Sequence, residues 1–262
     1  MALHIGAHVD QTDPIAEAKA RDADLVQFFL GDPQGYKGPE IRYAGGADAL
    51  RDDAAAAGID LYVHAPYIVN VATTNNRIRI PSRKLLQQHL TAAGEIGAKG
   101  VIVHGGHLGA DEDAATGFDN WRKAVEATDL KIPLLIENTA GGDNAMARHL
   151  DRIGRLWEAI SGAEGFENVG FCLDTCHAHA GGNDLSTVVD DVRAITGRID
   201  LVHCNDSRDE FGSGAEVGVA VGAGTELVAA VVRAAGSPVV VETPGGLEGQ
   251  SADLDWLRQH LA

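Results

Sequence analysis

The chain has 262 residues, 45% of them hydrophobic and 23% charged, which is ordinary globular composition. It is long enough for one large domain, and no linker-like stretch divides it into two, so a single domain over residues 1–262 is expected. With 21 Lys and Arg against 38 Asp and Glu, the formal charge of −17 excludes non-specific adhesion to nucleic acid through a generally basic surface.

The first β-rich run is LHIGAH (residues 3–8) and the second ADLVQFF (23–29). A helical segment at 48–57 precedes DLYVHA (60–65), and SRKLLQQHLTAAGEI (82–96) brings apolar residues back every three or four positions before GVIVHG (100–105). Residues 120–127 read as helix ahead of PLLIENT (133–139), and NAMARHLDRIGRLWEAI (144–160) reads as helix ahead of VGFCLDT (169–175). Residues 186–195 lead to IDLVHC (199–204), and PVVVETP (238–244) is the eighth β-rich run. Each run is nearly continuous in Val, Ile and Leu and bounded by Gly, Pro or Asp, as parallel strands covered on both faces require. Strand alternating with helix eight times predicts a closed (β/α)8 barrel. An open doubly wound sheet is the alternative, but GAHVDQTDP stands where its glycine-rich phosphate loop would be.

A barrel of this kind works at the C-terminal ends of its strands, so the residues that end each run are the informative ones. They are His8, His64, His104, Glu137, Asp174 with His177 just beyond, His203 and Glu242, while the second run has only Asp32 shortly after it. One such residue is commonly a hydrogen-bonded polar group. Seven strand ends out of eight carrying His, Asp or Glu is a ligand set for Zn²⁺ or Mn²⁺, and carboxylates able to bridge suggest more than one ion. Bound cations would also neutralise part of the acidic charge locally.

Cys172, Cys176 and Cys204 are an odd number and lack the second pair that a zinc knuckle needs, so all three are expected as small buried residues. After the third run comes HAPYIVNVATTNNRIRIPSRK, read as a loop and helix start, with Arg77, Arg79, Arg83 and Lys84 in eight residues. Such a charge run is usually solvated. Beside Tyr67 and Asn70 and a metal cluster it could instead hold a phosphodiester backbone. No apolar stretch is long enough for a membrane span, and mean hydropathy is −0.07. The start, MALHIGAHVD, has no basic segment before an apolar one, so a cytoplasmic protein is expected.

HAPYIVNVA, IVHGGH, LIENTAGG, CLDTCHA, LVHCNDS and VVETP resemble, in order and spacing, the signatures of the endonuclease IV family of abasic-site endonucleases. NNRIRIPSRK and ENTAGGDNAMAR make the likeness closest to actinobacterial members, and it runs over nearly the whole chain. The resemblance implies a barrel that hydrolyses the phosphodiester 5′ to an abasic site in double-stranded DNA and leaves a 3′-hydroxyl. It implies one ion on His64, His104 and Glu137, and a second on Glu137, Asp174, His203 and Glu242, with Glu137 bridging. Metal-activated water would be the nucleophile. Tyr67 matches the family's DNA-contacting tyrosine, and Gln34 and Tyr36 lie in the turn where the family probes the lesion.

The family's third ion would use His177 and an Asp-x-His pair after the seventh run, but Glu216 stands in place of the Asp and Gly218 in place of the His. Two zinc ions are therefore expected, with the third in doubt and manganese as an alternative, in a monomer. Two other readings stay open. Related xylose-isomerase-like barrels keep one metal on a Glu, Asp, His, Glu set, which here would be Glu137, Asp174, His203 and Glu242 in a sugar isomerase or epimerase. A weakly active or non-catalytic relative that only binds abasic DNA is the other.

Overall fold

The computed structural model describes residues 3–214, 218–221 and 226–261. In chain order they form β1 (Ile5–His8), α1 (Pro14–Ala20), β2 (Leu25–Phe29), α2 (Gly46–Ala57), β3 (Asp60–His64), α3 (Asn76–Glu95) and β4 (Gly100–His104). There follow α4 (Ala114–Ala127), β5 (Leu134–Glu137), α5 (Leu150–Ile160), β6 (Val169–Asp174), α6 (Thr175–Gly181), α7 (Val188–Thr196) and β7 (Leu201–His203). A ribbon of β8 (Asp206–Ser207) and β9 (Gly218–Val219) precedes α8 (Leu227–Ala235), β10 (Val239–Val241) and α9 (Gly246–Leu261). The eight parallel strands β1, β10, β7, β6, β5, β4, β3 and β2 close on themselves in that order, so the chain is a (β/α)8 barrel.

Alternation along the strands explains both faces of this barrel. Val26, Phe28, Val63, Val101, Val103, Ile136, Phe171, Val202 and Val241 point outward into the core shared with the helices. The residues between them point inward, and Leu25, Tyr62, Ile102, Leu135, Cys172, Leu201 and Val240 form one buried layer inside the barrel. On β1 the inward place belongs to Gly6, where a Cβ would lie 1.7 Å from the Leu25 carbonyl oxygen. The next inward residue, two places further along each strand, lies toward the C-terminal mouth. That step leads from apolar residues to His8, Gln27, His64, His104, Glu137, Asp174, His203 and Glu242. Burial within a closed sheet thus stacks a polar layer on an apolar floor.

Two expectations need correction, and one element is new. The basic segment is not a loop: α3 begins at Asn76, capped by the Asn75 side chain accepting from the Arg77 N–H at 3.0 Å. It runs through Pro81, which forgoes one helical hydrogen bond, and continues because its apolar face is buried. Residues 144–149 are not helical, since their backbone serves neighbouring loops: Leu108 N–H donates to Asn144 O, Met146 N–H to Gly106 O and Thr139 N–H to Ala147 O. The β8–β9 ribbon is an addition to the expected elements, because two-residue strands carry no periodic signal. All three cysteines are buried, as expected.

Candidate metal centre

Parallel register sets the site's height in the barrel. His104 lies opposite Glu137 and Asp174 opposite His203 in the strand pairing, so the four side chains rise from neighbouring strands at matched levels. Two groups of ligand atoms result, His64 with His104 and Glu137, and Glu137 with Asp174, His203 and Glu242, each group within 4.8 Å of one another.

Glu137 divides its carboxylate between the two groups. Its Oε2 lies 3.2 Å from His64 Nε2 and 3.4 Å from His104 Nε2. Its Oε1 lies 3.1 Å from both His203 Nδ1 and His177 Nδ1. Neighbouring groups fix the imidazole orientations: His64 Nδ1 donates to the Ala65 carbonyl at 2.7 Å, which turns Nε2 inward. Glu242 completes the second group with Oε2 3.5 Å from His203 Nδ1.

The LDTCH segment explains the place of Asp174 and His177. Asp174 caps α6, its Oδ1 accepting from the His177 N–H at 2.7 Å, so the third residue of the helix folds back over the strand end. Its other oxygen, Oδ2, accepts from Asn205 Nδ2 at 3.0 Å and faces His203 Nδ1 at 3.9 Å. Asn138 pairs with the Asp174 backbone as a strand would, donating to its carbonyl at 2.9 Å and accepting from its N–H at 2.8 Å.

Burial and neighbouring charge oppose one another in this donor set. Burial raises the Glu137 carboxyl, but the imidazoles of His203, His104 and His177 outweigh it and hold it well below the usual carboxylate range. Burial also pushes Asp174 up to about 6, with Glu137 and Glu242 adding to the rise against the pull of His177 and His203. Burial raises the Glu242 carboxyl too, but His203 and His8 hold it, like that of Glu137, well below the usual range, so the group presents ionised oxygens beside imidazole nitrogens. The chemistry of the residues therefore fits divalent ions with N and O ligands.

Tyr67 stands over this centre. Its ring is 52% exposed, 5.1 Å from Phe29, 5.5 Å from His64 and 5.6 Å from His104 between centroids. Its backbone N–H donates to Pro33 O at 2.9 Å, tying the β3 loop to the β2 loop that carries exposed Gln34 and Tyr36. A cavity of about 410 Å³ opens beside Tyr67 and His104, lined also by Gly106, Thr139 and Asn144.

Other expected contacts fall differently. Asn70 is buried, and its amide donates to His107 O while its oxygen accepts from the Ala72, Thr73 and His107 N–H groups, so it braces two loops. Arg79 spends its guanidinium on Thr73 O and Asn76, and Arg83 donates to Asn120 O. Arg77 is exposed on the first turn of α3. Glu216 lies outside the described residues. Gly218 pairs with Ser207 in the β8–β9 ribbon, so no imidazole stands there, while His177 Nδ1 is also 2.8 Å from Asn138 O.

Sequence reasoning passed over Gln27 because the strand ends were searched for titratable groups. Strand alternation would have found it, two residues after buried Leu25 in the inward row.

A family model described as "Xylose isomerase-like TIM barrel" matches residues 15–260. "Probable endonuclease 4" of Mycobacterium tuberculosis is 52% identical over 97% of this chain and 98% of its own length. The chain belongs to the endonuclease IV family. It is thus an endonuclease IV-like hydrolase. The crystal structure of endonuclease IV from Thermus thermophilus superposes with a TM-score of 0.84 at 26% identity, covering 98% of each chain. A D-tagatose 3-epimerase-like protein has a TM-score of 0.77 at 17% identity over 99% of this chain and 97% of its own, a likeness of fold alone.

Proposed function

We propose that this protein hydrolyses the phosphodiester on the 5′ side of abasic sites in double-stranded DNA, leaving a 3′-hydroxyl, as a cytoplasmic enzyme of base excision repair. The observation that carries this reading is Glu137, whose two oxygens face two separate ligand groups. An isomerase or epimerase with one ion has no use for His64 and His104 beside the Glu137, Asp174, His203, Glu242 set. Divalent ions held by the two groups, zinc or manganese, would supply a nucleophilic water of lowered pKa and positive charge for the phosphate in its transition state.

The chain's own residues have separate tasks in this reading. Glu137 would serve both ions. Asp174, His203 and Glu242 would hold one with it, and His64 and His104 the other. Tyr67 offers an exposed ring over the centre for the sugar and base beside the lesion, and Gln34, Tyr36 and Arg77 offer polar and cationic contacts to flanking backbone. A third ion on His177 lacks the imidazole that Gly218 does not supply.

The test is a duplex bearing a tetrahydrofuran abasic analogue, incubated with protein loaded with Zn²⁺, Mn²⁺ or Co²⁺. A single incision 5′ to the analogue is expected, abolished by chelation, with at least two ions per chain by elemental analysis. No incision at stoichiometric protein, together with one ion per chain, overturns the proposal in favour of the isomerase chemistry. Tight binding without a product overturns it in favour of a non-catalytic damage binder.

A further inference from the structure

We infer that Gln27 is a positioning residue for the metal centre, one that selects Nδ1 of His203 as the metal-binding nitrogen and aligns Glu242 beside it. The inference rests on the reading that His203 and Glu242 hold an ion. Gln27 projects from β2 into the barrel with no exposed surface. Its amide touches three members of the polar layer on three other strands. Nε2 lies 2.6 Å from Glu242 Oε1 and 3.0 Å from His8 Nδ1, and Oε1 lies 2.8 Å from His203 Nε2.

The orientation of the amide follows from chemistry. An ionised carboxylate only accepts, so the amide nitrogen must face Glu242. The amide oxygen then faces His203 Nε2, which must carry a proton to bond it. A neutral His203 is therefore the Nε2–H tautomer, and its lone pair sits on Nδ1, 3.1 Å from Glu137 Oε1, 3.5 Å from Glu242 Oε2 and 3.9 Å from Asp174 Oδ2. A ring nitrogen and three carboxylate oxygens converging in this way form a donor set for a divalent cation. The second amide hydrogen reaches His8 Nδ1, which makes a neutral His8 the Nε2–H tautomer too.

Packing alone does not account for an amide at this position. Leucine or methionine would fill a similar volume between Leu25 and the mouth of the barrel without the cost of burying an amide. What only the amide provides is an acceptor for one ligand and a donor for another in the same side chain. Outer-sphere partners of this kind typically contribute 10- to 100-fold in metal affinity.

The test compares wild type with Gln27→Leu, Gln27→Glu and His203→Ala. Imidazole ¹⁵N shifts of the Zn²⁺-loaded protein should show His203 with its proton on Nε2 in wild type and in Gln27→Glu, which keeps the acceptor. Gln27→Leu should show a mixture of tautomers. Chelator competition should show two classes of ion in wild type, with Gln27→Leu weakening one about 10- to 100-fold. That class should be the one His203→Ala removes, the other staying at its wild-type affinity. The inference is overturned if folded Gln27→Leu keeps both the tautomer and the wild-type affinities, or, should that variant not fold, if Gln27→Glu loses the tautomer. If His203→Ala loses no ion, the metal reading fails instead, and the tautomer shifts still decide whether Gln27 governs the His203 ring.

Discussion

Gly218 carries the clearest consequence at the scale of single residues. Among the described residues, a Cβ built there meets only the Asn205 Cβ, at 3.7 Å, an ordinary van der Waals distance, so none of their backbone stands in the way of a side chain there. Asn205 in turn contacts Asp174 and the Glu242 N–H, which places position 218 beside the carboxylate group rather than at the distant rim. Under the proposed chemistry, the double change Gly218→His with Glu216→Asp should therefore add an ion and raise incision. The expected outcome is one additional Zn²⁺ per chain by elemental analysis and a single-turnover rate at least about tenfold higher, the scale of one positioned charge in the transition state. An added ion with no change of rate would show that the third position does not limit catalysis.

At the scale of elements, the inward row of each strand does two jobs, and its lower half is constrained as tightly as its upper half. Gly6 sits where a side chain would strike the Leu25 carbonyl, 1.7 Å from the nearest Cβ position, and that carbonyl belongs to the β1–β2 pairing. Gly6→Ala should therefore destabilise the fold by about 3 kcal/mol or more, since backbone rather than a flexible side chain must yield. Gly154 in α5 has nothing within 4 Å of its Cβ position, and Gly154→Ala should stabilise by about 0.5–1 kcal/mol. Urea unfolding of the two variants checks both signs. The same alternation explains how much could be read in advance. Eight apolar runs marked the strands, and the seven of them that end in His, Asp or Glu marked seven members of the polar layer, because titratable groups at strand ends stand out against Val and Ile. Gln27 escaped because an amide is not a ligand type, and the bracing bonds of Asn70 escaped because its partners on the β4 loop are remote in sequence. The start of α3 and the irregular 144–149 segment escaped for a related reason. A buried face carries α3 across Pro81, and backbone bonds to distant loops hold 144–149 out of a helix.

At the scale of the whole molecule, a protein with a formal charge of −17 must bring a polyanion to the face where its buried carboxylates lie. At physiological salt the Debye length is about 8 Å, so acidic groups at the opposite end of the barrel are screened from that face. The groups that matter are Glu137, Asp174 and Glu242, whose local sign would invert on binding divalent ions. The rate of association with an abasic duplex should then follow metal loading rather than net charge. By stopped-flow anisotropy at physiological salt, ahead of cleavage, chelation is expected to slow association at least about tenfold, within the range that electrostatic steering spans. Asp129 and Glu164, exposed in loops that enter β5 and β6 from the far end, provide the control. Asp129→Asn with Glu164→Gln changes the net charge by as much as one divalent cation does, yet should change the rate less than about twofold. If chelation and the distant neutralisation shift the rate equally, the polyanion is guided by the overall charge and the metal centre plays no part in drawing it in. If only chelation matters, the acidic composition and a nucleic-acid substrate are compatible because the local charge of the metal centre, and not the net charge, sets the encounter.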